Sequence, residues 1–92
     1  MTPRQKFGKF LRQLRMRRGL TQWDVAREFG LTSAQFVSNI ERGVTFPPDE
    51  MVAKLAKIYR TPLTDILAQQ VEAKEGEIQA WKKSVLALAR SA

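Results

Sequence analysis

The first 19 residues concentrate basic side chains and contain no acidic one: Arg4, Lys6, Lys9, Arg12, Arg15, Arg17 and Arg18. The whole chain has 16 basic and 9 acidic residues, with a net charge of +7. This one segment therefore carries the entire excess, and a localised positive field attracts polyanions. Nucleic acid is the first candidate partner, and an anionic membrane surface is the second. A cationic surface that only aids solubility is the third interpretation.

Catalytic chemistry has little support in this sequence. It contains neither Cys nor His, which excludes disulfides, thiolate metal sites and Ser-His-Asp triads. Asp24 and Glu28 are four residues apart on one helix face, with Arg27 beside them. Two carboxylates can move protons, but no second catalytic group accompanies them. We therefore expect no enzymatic activity, no metal site and no cofactor.

Length and composition predict a single globular domain. The 92 residues are 43% apolar and 27% charged, which is typical of globular proteins. No apolar run reaches the roughly 18 residues of a membrane span. The opening residues MTPRQKFGKF lack the apolar core of a signal peptide. These observations predict a cytoplasmic location and no membrane partner.

Helical spacing recurs along the chain, and glycines separate the first helices. Gly19, Gly30 and Gly43 each follow a segment with helical apolar spacing, as expected of glycines just beyond a helix end. The first segments run from about residue 4 to 18 and from 22 to 29, the second capped by Thr21, and a third begins after a Thr32 or Ser33 cap. A fourth runs from about residue 48 to 59, and Thr61-Pro62 opens a fifth. The predicted inward positions are Phe7, Phe10, Leu11, Leu14, Val25, Ala26, Phe29, Phe36, Val37, Ile40, Met51, Val52, Leu55, Ile58 and Tyr59.

The last third has the spacing of a coiled coil. Steps of four and three connect Leu67, Val71, Lys74, Ile78, Trp81, Val85 and Leu88, which we call the C-terminal seam. One interpretation is a helix that forms a dimer through Val71, Ile78, Trp81, Val85 and Leu88; the other is a helix that folds back on its own core. Gly76 costs about 1 kcal/mol inside a helix and could divide the segment. Lys74 either fixes the register or marks that break.

The segment LTQWDVAREFGLTSAQFVSNIERG, which starts at Leu20, resembles the helix-turn-helix of Cro/CI-type phage repressors and Xre-like bacterial regulators. The resemblance covers about residues 7–67. Ala26 is small where two helices would cross, and Gly30 permits the turn between them. Val37 and Ile40 would anchor the third helix, which leaves its other face available for the DNA major groove.

Two departures from the family pattern affect this assignment. One extra residue precedes the third helix, so either Ser33 or Ala34 begins the face that reads DNA. Arg60 occupies a position where the family usually has glycine, so the end of the fourth helix is less well defined.

The resemblance implies DNA-contacting roles for particular side chains. Gln22 corresponds to a glutamine that touches phosphate and braces the motif, and Gln35 and Asn39 would pair with adenine. Arg42 and Thr45 would contact phosphates. The full predicted DNA-binding set is Arg18, Gln22, Ser33, Ala34, Gln35, Phe36, Ser38, Asn39, Arg42 and Thr45. The plain alternative is that the polar residues are merely solvated and that Phe36 belongs partly to the core.

The resemblance also places Arg15 and Glu41 at the positions of an ion pair between the first and third helices. Arg15 would hold the reading helix while its planar fork is still partly aimed at phosphate. An exposed Glu41 that contributes little is the alternative. Trp23 and Trp81 could stack on bases, but a Trp23 that is partly buried or exposed near the backbone, and a Trp81 in an interface or core, fit their positions better.

The sequence thus predicts an all-α protein: a compact five-helix bundle with a helix-turn-helix, plus an amphipathic C-terminal helical extension. Residues 1–67 would be the DNA-binding domain, and residues 68–92 the dimerisation segment. The resemblance implies a regulator of transcription, by family habit a repressor, that binds a pseudo-palindromic operator of double-stranded DNA as a homodimer. An antitoxin that also binds a toxin partner is one alternative, and a basic helical protein at acidic membranes is another. RNA fits less well, because the A-form major groove is too narrow for a helix.

Overall fold

The computed structural model describes residues 1–91 and contains five α-helices in that range. They are α1 (Pro3–Arg17), α2 (Gln22–Glu28), α3 (Gln35–Glu41), α4 (Asp49–Ile58) and α5 (Leu63–Ser91). No strand occurs among these residues, so the predicted all-α class is confirmed. No helix in this range is long and apolar enough to cross a membrane.

Side-chain caps define the starts of the first two helices. Thr2 and Thr21 each accept a hydrogen bond from the backbone three residues later, and Gln5 and Asp24 return the bond to complete a capping box. The predicted cap of α3 is wrong, because its N-cap is Ala34 and no side chain caps it. The Ser33 hydroxyl reaches only the N–H of Gln35, at 3.3 Å, so the helix begins later than expected.

The first four helices all end in the same hydrogen-bonded turn. After α2, for example, the N–H of Gly30 bonds to Arg27 and that of Leu31 bonds to Ala26, which is a Schellman motif. This motif needs a left-handed residue, and Gly19, Gly30 and Gly43 supply it with φ between 66° and 77°. The predicted role of these glycines is therefore confirmed. At the end of α4 the same place is taken by Arg60 with φ 49°.

Buried side chains from all five helices form the core. Its most deeply buried side chains include Leu11, Val25 and Ile66. Most of the predicted inward positions are buried, while Phe10, Phe29, Phe36 and Ile58 are only partly buried at its edge.

Helix α5 is continuous through Gly76, so that glycine does not divide it. Instead, Gly76 allows the start of α1 to approach closely, since a Cβ there would lie 2.9 Å from the ring of Pro3. Arg4 adds a two-bond ion pair to Glu77, at 2.7 and 2.9 Å. The buried face of α5 is formed by Ile66, Gln70 and Ala73, and every described residue after Glu77 is exposed.

Candidate nucleic-acid interface

Helices α2 and α3 pack at a small, buried contact. Val25 and Ala26 of α2 are completely buried, and Val37 and Ile40 of α3 are buried against the same core. A larger side chain in place of Ala26 would push the two helices apart. Because α3 is held by its inner residues, its outer face remains available to a partner.

Three polar side chains on the outer face of α3 form a continuous hydrogen-bonded row. The Oδ1 atom of Asn39 accepts a bond from Gln35 Nε2 at 2.8 Å and another from Arg42 Nη2 at 2.7 Å. Residues four and three apart face each other on a helix, so this row follows directly from their spacing. The carbonyl oxygen of Gln35 and the amide nitrogen of Asn39 take no part in the row and can face outward.

The other residues predicted on α3 and around it differ in exposure. Ser33 is exposed, and Ala34 and Ser38 are partly buried. Phe36 packs partly against the core, so only part of its ring faces outward. Thr45 follows α3 and donates its hydroxyl to the carbonyl of Phe46 at 3.2 Å.

Behind the outer face of α3, a buried charge cluster joins the first three helices. Arg15 of α1 donates two hydrogen bonds to the carboxylate of Glu41, at 2.7 and 3.0 Å. Gln22 of α2 donates to the same carboxylate at 3.0 Å. Both charged residues are less than 10% exposed. The hydrogen bonds from Arg15 to Glu41 raise the pKa of Arg15, despite the opposing effect of burial.

The geometry of Arg15 differs from the prediction in one respect. Its third nitrogen group, Nη1, donates to the carbonyl of Leu20 at 2.8 Å. With all three guanidinium nitrogens bonded inside the protein and the side chain buried, its fork is not aimed at phosphate. Burial, with a smaller contribution from the charge of Glu41, raises the pKa of neighbouring Tyr59. The buried charge cluster of Arg15, Gln22 and Glu41 therefore holds α3 in position.

One helix contact behind α3 was missed from the sequence. Gly8 of α1 is buried, and a Cβ at this position would lie 2.5 Å from the carbonyl oxygen of Glu41 and 2.6 Å from that of Ile40. The only signal in the sequence was a glycine inside a helix, where it costs about 1 kcal/mol without a packing reason. Backbone contact with the end of α3 is that reason.

Arg18 lies apart from the α3 row. It lines an open cleft between the end of α1, α2 and α4, and no residue of α3 lines that cleft. Four further basic side chains line it: Arg27, Lys54, Lys57 and Arg60. Charge counting along the sequence missed this group, because these residues are balanced by acidic residues nearby in the chain.

Asp24, one of the two carboxylates considered for acid-base chemistry, already accepts hydrogen bonds within the protein. Asp24 accepts the backbone N–H of Thr21 at 2.8 Å and a bond from Arg27 at 2.7 Å. The bonds from Thr21, and next that from Arg27, lower the pKa of Asp24. Its role is to cap α2. Among residues 1–91, no cluster of three or more potential metal ligands is formed.

These features define a class of protein: a helix-turn-helix module with one helix braced from behind and a polar row on its free face. The family model for the helix-turn-helix domain matches residues 6–69. The chain belongs to this family, and its resemblance to Xre-like regulators is confirmed. Membership points to a DNA-binding regulator of transcription and not to an enzyme.

A solved structure shares the architecture. The crystal structure of the clp gene regulator ClgR from Corynebacterium glutamicum matches with a TM-score of 0.65 and 23% sequence identity. The match covers 96% of this chain and 90% of that chain. At this identity the likeness establishes a common fold, and it includes the region of α5. No curated protein matches the sequence.

Proposed function

We propose that this protein is a sequence-specific regulator that binds double-stranded DNA as a homodimer and represses transcription. The observation that carries the proposal is the row of Gln35, Asn39 and Arg42 on the outer face of α3. A merely solvated face would not need the buried Arg15–Glu41 pair to hold it in position. Such bracing is what precise contact with base edges requires.

In this mechanism α3 enters the major groove and Gln35 reads a base. One hydrogen of the Gln35 amide is committed to Asn39. The other hydrogen and the carbonyl oxygen can still pair with N7 and N6 of adenine. Asn39 and Arg42 thereby set the orientation of Gln35, and Arg42 is also placed to meet a phosphate.

The remaining predicted contacts complete the proposed footprint. Ser33, Ala34, Phe36 and Ser38 would face the groove around Gln35, with the exposed edge of Phe36 against a thymine methyl group. Gln22 would brace Glu41, to which it already donates a hydrogen bond, and would also contact a DNA phosphate. Arg18 and Thr45 would contact DNA phosphates at the edges of this footprint.

The homodimer is proposed from the exposed C-terminal seam. Residues 1–67 would bind DNA, and residues 68–92, which include the exposed part of α5 after Glu77, would join two copies. Two reading helices would then enter successive major grooves about 10 bp apart on a pseudo-palindrome. A protein bound there would block polymerase at an overlapping promoter.

Selection from a random duplex library, with binding measured over a salt series, tests this function. We expect an enriched palindrome that contains adenine, and an affinity that falls steeply with salt concentration. The Gln35→Ala variant should lose the preference for adenine at one position. Thr64→Ala, on the exposed side of α5 and outside the footprint, is the control that should select the same sequence. A steep salt dependence without enrichment would contradict sequence-specific regulation. Copurification of a second small protein would favour the antitoxin alternative.

A further inference from the structure

The apolar residues of the C-terminal seam are exposed. The exposed fractions are 44% for Leu67, 52% for Val71, 57% for Ile78, 68% for Trp81, 46% for Val85 and 67% for Leu88. The face of α5 that packs on the body is a different one, formed by Ile66, Gln70 and Ala73. Helix α5 therefore folds on the core through one face, while the apolar residues of the seam stay largely exposed on another. Within the seam, Lys74 lies over the Phe46 ring of its own chain.

The exposed area is large enough for a specific interface. The five apolar side chains between residues 71 and 88 expose on the order of 500 Å² per chain, so two copies would bury up to about 1,000 Å², close to the smallest area of a specific protein–protein interface. A regular seven-residue repeat also pairs best with another helix of the same repeat. Both facts favour a second copy of this chain as the occupant.

We propose that α5 pairs with α5 of a second copy in antiparallel orientation over residues 71–88. This proposal rests on the homodimer of the proposed function and adds its orientation and register. In this register Ile78 packs against the partner's Trp81, Val71 against the partner's Leu88, and Lys74 against the partner's Val85. The two-fold axis passes between residues 79 and 80.

Charge decides against the parallel orientation. In a parallel pair the two copies of Lys74, each of which lies over the Phe46 ring of its own chain, would come to the same level of the seam, and like charges at such a position repel. The attractive parallel contact would join Glu77 to the partner's Lys82. Glu77 is already held by both hydrogen bonds from Arg4, so that contact would have to compete with an existing ion pair.

Charge also selects one antiparallel register. In the proposed register, Glu75 flanks the seam opposite the partner's Lys82, and symmetry forms this ion pair twice. Both residues are exposed in the isolated chain. Moving to the next register in one direction would place Glu75 opposite the same residue of the partner, and in the other direction Lys82 opposite its own copy. Each neighbouring register replaces attraction by repulsion.

The arrangement is compatible with DNA recognition. Each body is attached to α5 around Gln70, the middle of its buried face. At 1.5 Å per residue, the two attachment points would lie about 28 Å apart along the helix axis. That separation is comparable with the roughly 34 Å between successive major grooves on one side of DNA.

Disulfide trapping tests the orientation, because the chain has no cysteine of its own. Val71→Cys and Leu88→Cys chains, mixed and oxidised, should form a mixed disulfide. Leu88→Cys alone should form almost none, since the two copies of residue 88 would lie about 25 Å apart. Lys83→Cys, on the opposite side of the helix, is the control. Sedimentation of the unmodified chain reports whether it dimerises at all.

The possible outcomes distinguish a failure of the antiparallel orientation from a failure of dimerisation itself. A dimer that links efficiently through Leu88→Cys alone overturns the antiparallel orientation and leaves the homodimer intact. A chain that stays monomeric up to high concentration overturns both. Monomeric chains that still select a half-site would retain DNA recognition without either.

Charge exchange tests the register independently. We expect Glu75→Lys to weaken dimerisation roughly tenfold, and Lys82→Glu to do the same, because each replaces two attractive contacts with repulsive ones. The two changes in one chain should restore it, because the pairs form again with their signs exchanged. Additive losses in the double variant would overturn the proposed register.

Discussion

Gly8 of α1 and Glu41 of α3 are in direct backbone contact: a Cβ on Gly8 would lie 2.5 Å from the Glu41 carbonyl oxygen. The carboxylate of Glu41 binds Arg15, which lies about two helical turns further along α1. Helix α3 is therefore fixed to α1 at two points, one by close packing and one by charge.

Replacement of Gly8 by alanine is expected to destabilise the protein by about 1–3 kcal/mol, the usual cost of overpacking. The atoms in the way are backbone atoms, so α1 and α3 must separate. Gln13→Ala, at an exposed position of the same helix, is the control and should leave stability nearly unchanged. Urea unfolding measures both, and a wild-type midpoint for Gly8→Ala would contradict the packing argument.

Removal of Glu41 should cost more than its size suggests. Glu41→Ala leaves Arg15 as a buried charge without its partner, and such losses amount to about 3–5 kcal/mol. A combined Arg15→Met and Glu41→Leu variant should recover a large part of this, because it removes both charges together. Denaturant titration compares the three proteins. If the single variant were as stable as the wild type, the ion pair would not anchor α3.

Gln35 and Arg42 should affect DNA binding in different ways. Gln35→Ala should lose about 1–3 kcal/mol of discrimination at one base position. Arg42→Ala should weaken binding to all sequences and lower the salt slope by about one. Equilibrium binding to matched and single-base-changed duplexes at several salt concentrations distinguishes them. Equal losses on specific and scrambled DNA for Gln35→Ala would argue against a reading role.

The Arg4–Glu77 pair should make stability depend on acidic pH. Hydrogen bonds from Arg4 lower the pKa of Glu77 below its ordinary value of 4.5. A lowered pKa in the folded state gives stability that is present above pH 4.5 and is lost as the pH falls through the folded value. Since about a third of each side chain is exposed, the contribution is at most about 1 kcal/mol.

Glu77→Gln provides the check on that contribution. The difference in unfolding free energy between wild type and this variant should be largest near pH 7 and should shrink below pH 4. A difference that stays constant across this range would mean that the pair is not formed in solution.

Arg60 is expected to limit stability. It adopts φ 49° where the first three helix ends use glycine, and the left-handed conformation costs a residue with a side chain roughly 1–2 kcal/mol. Arg60→Gly should therefore raise the unfolding free energy by up to about 1 kcal/mol. Gly19→Ala should have the opposite effect by a similar amount, because a Cβ there meets no atom within 4 Å. Thermal unfolding measures the midpoint of both variants. Midpoint shifts of the same sign would contradict this account of the helix ends.

The sequence by itself determined the helices, most of the core and the family. Glycines at helix ends, threonine caps and apolar spacing act over a few residues, so they can be read without the fold. The start of α3 was mistaken because a serine in a loop can bond locally, at Gln35, without capping the helix. A serine before a helix can either cap the helix or bond elsewhere, and the backbone geometry of the whole turn decides which.

Only the tertiary structure decided which long-range contacts these elements make. It showed that Gly76 admits Pro3 and leaves α5 unbroken, that the bonds of Arg15 all lie within the protein, and that the apolar residues of the C-terminal seam stay exposed. Each outcome depends on distances between residues far apart in the chain. Residue types and spacing restrict such contacts, but the packing of five helices in three dimensions selects among them.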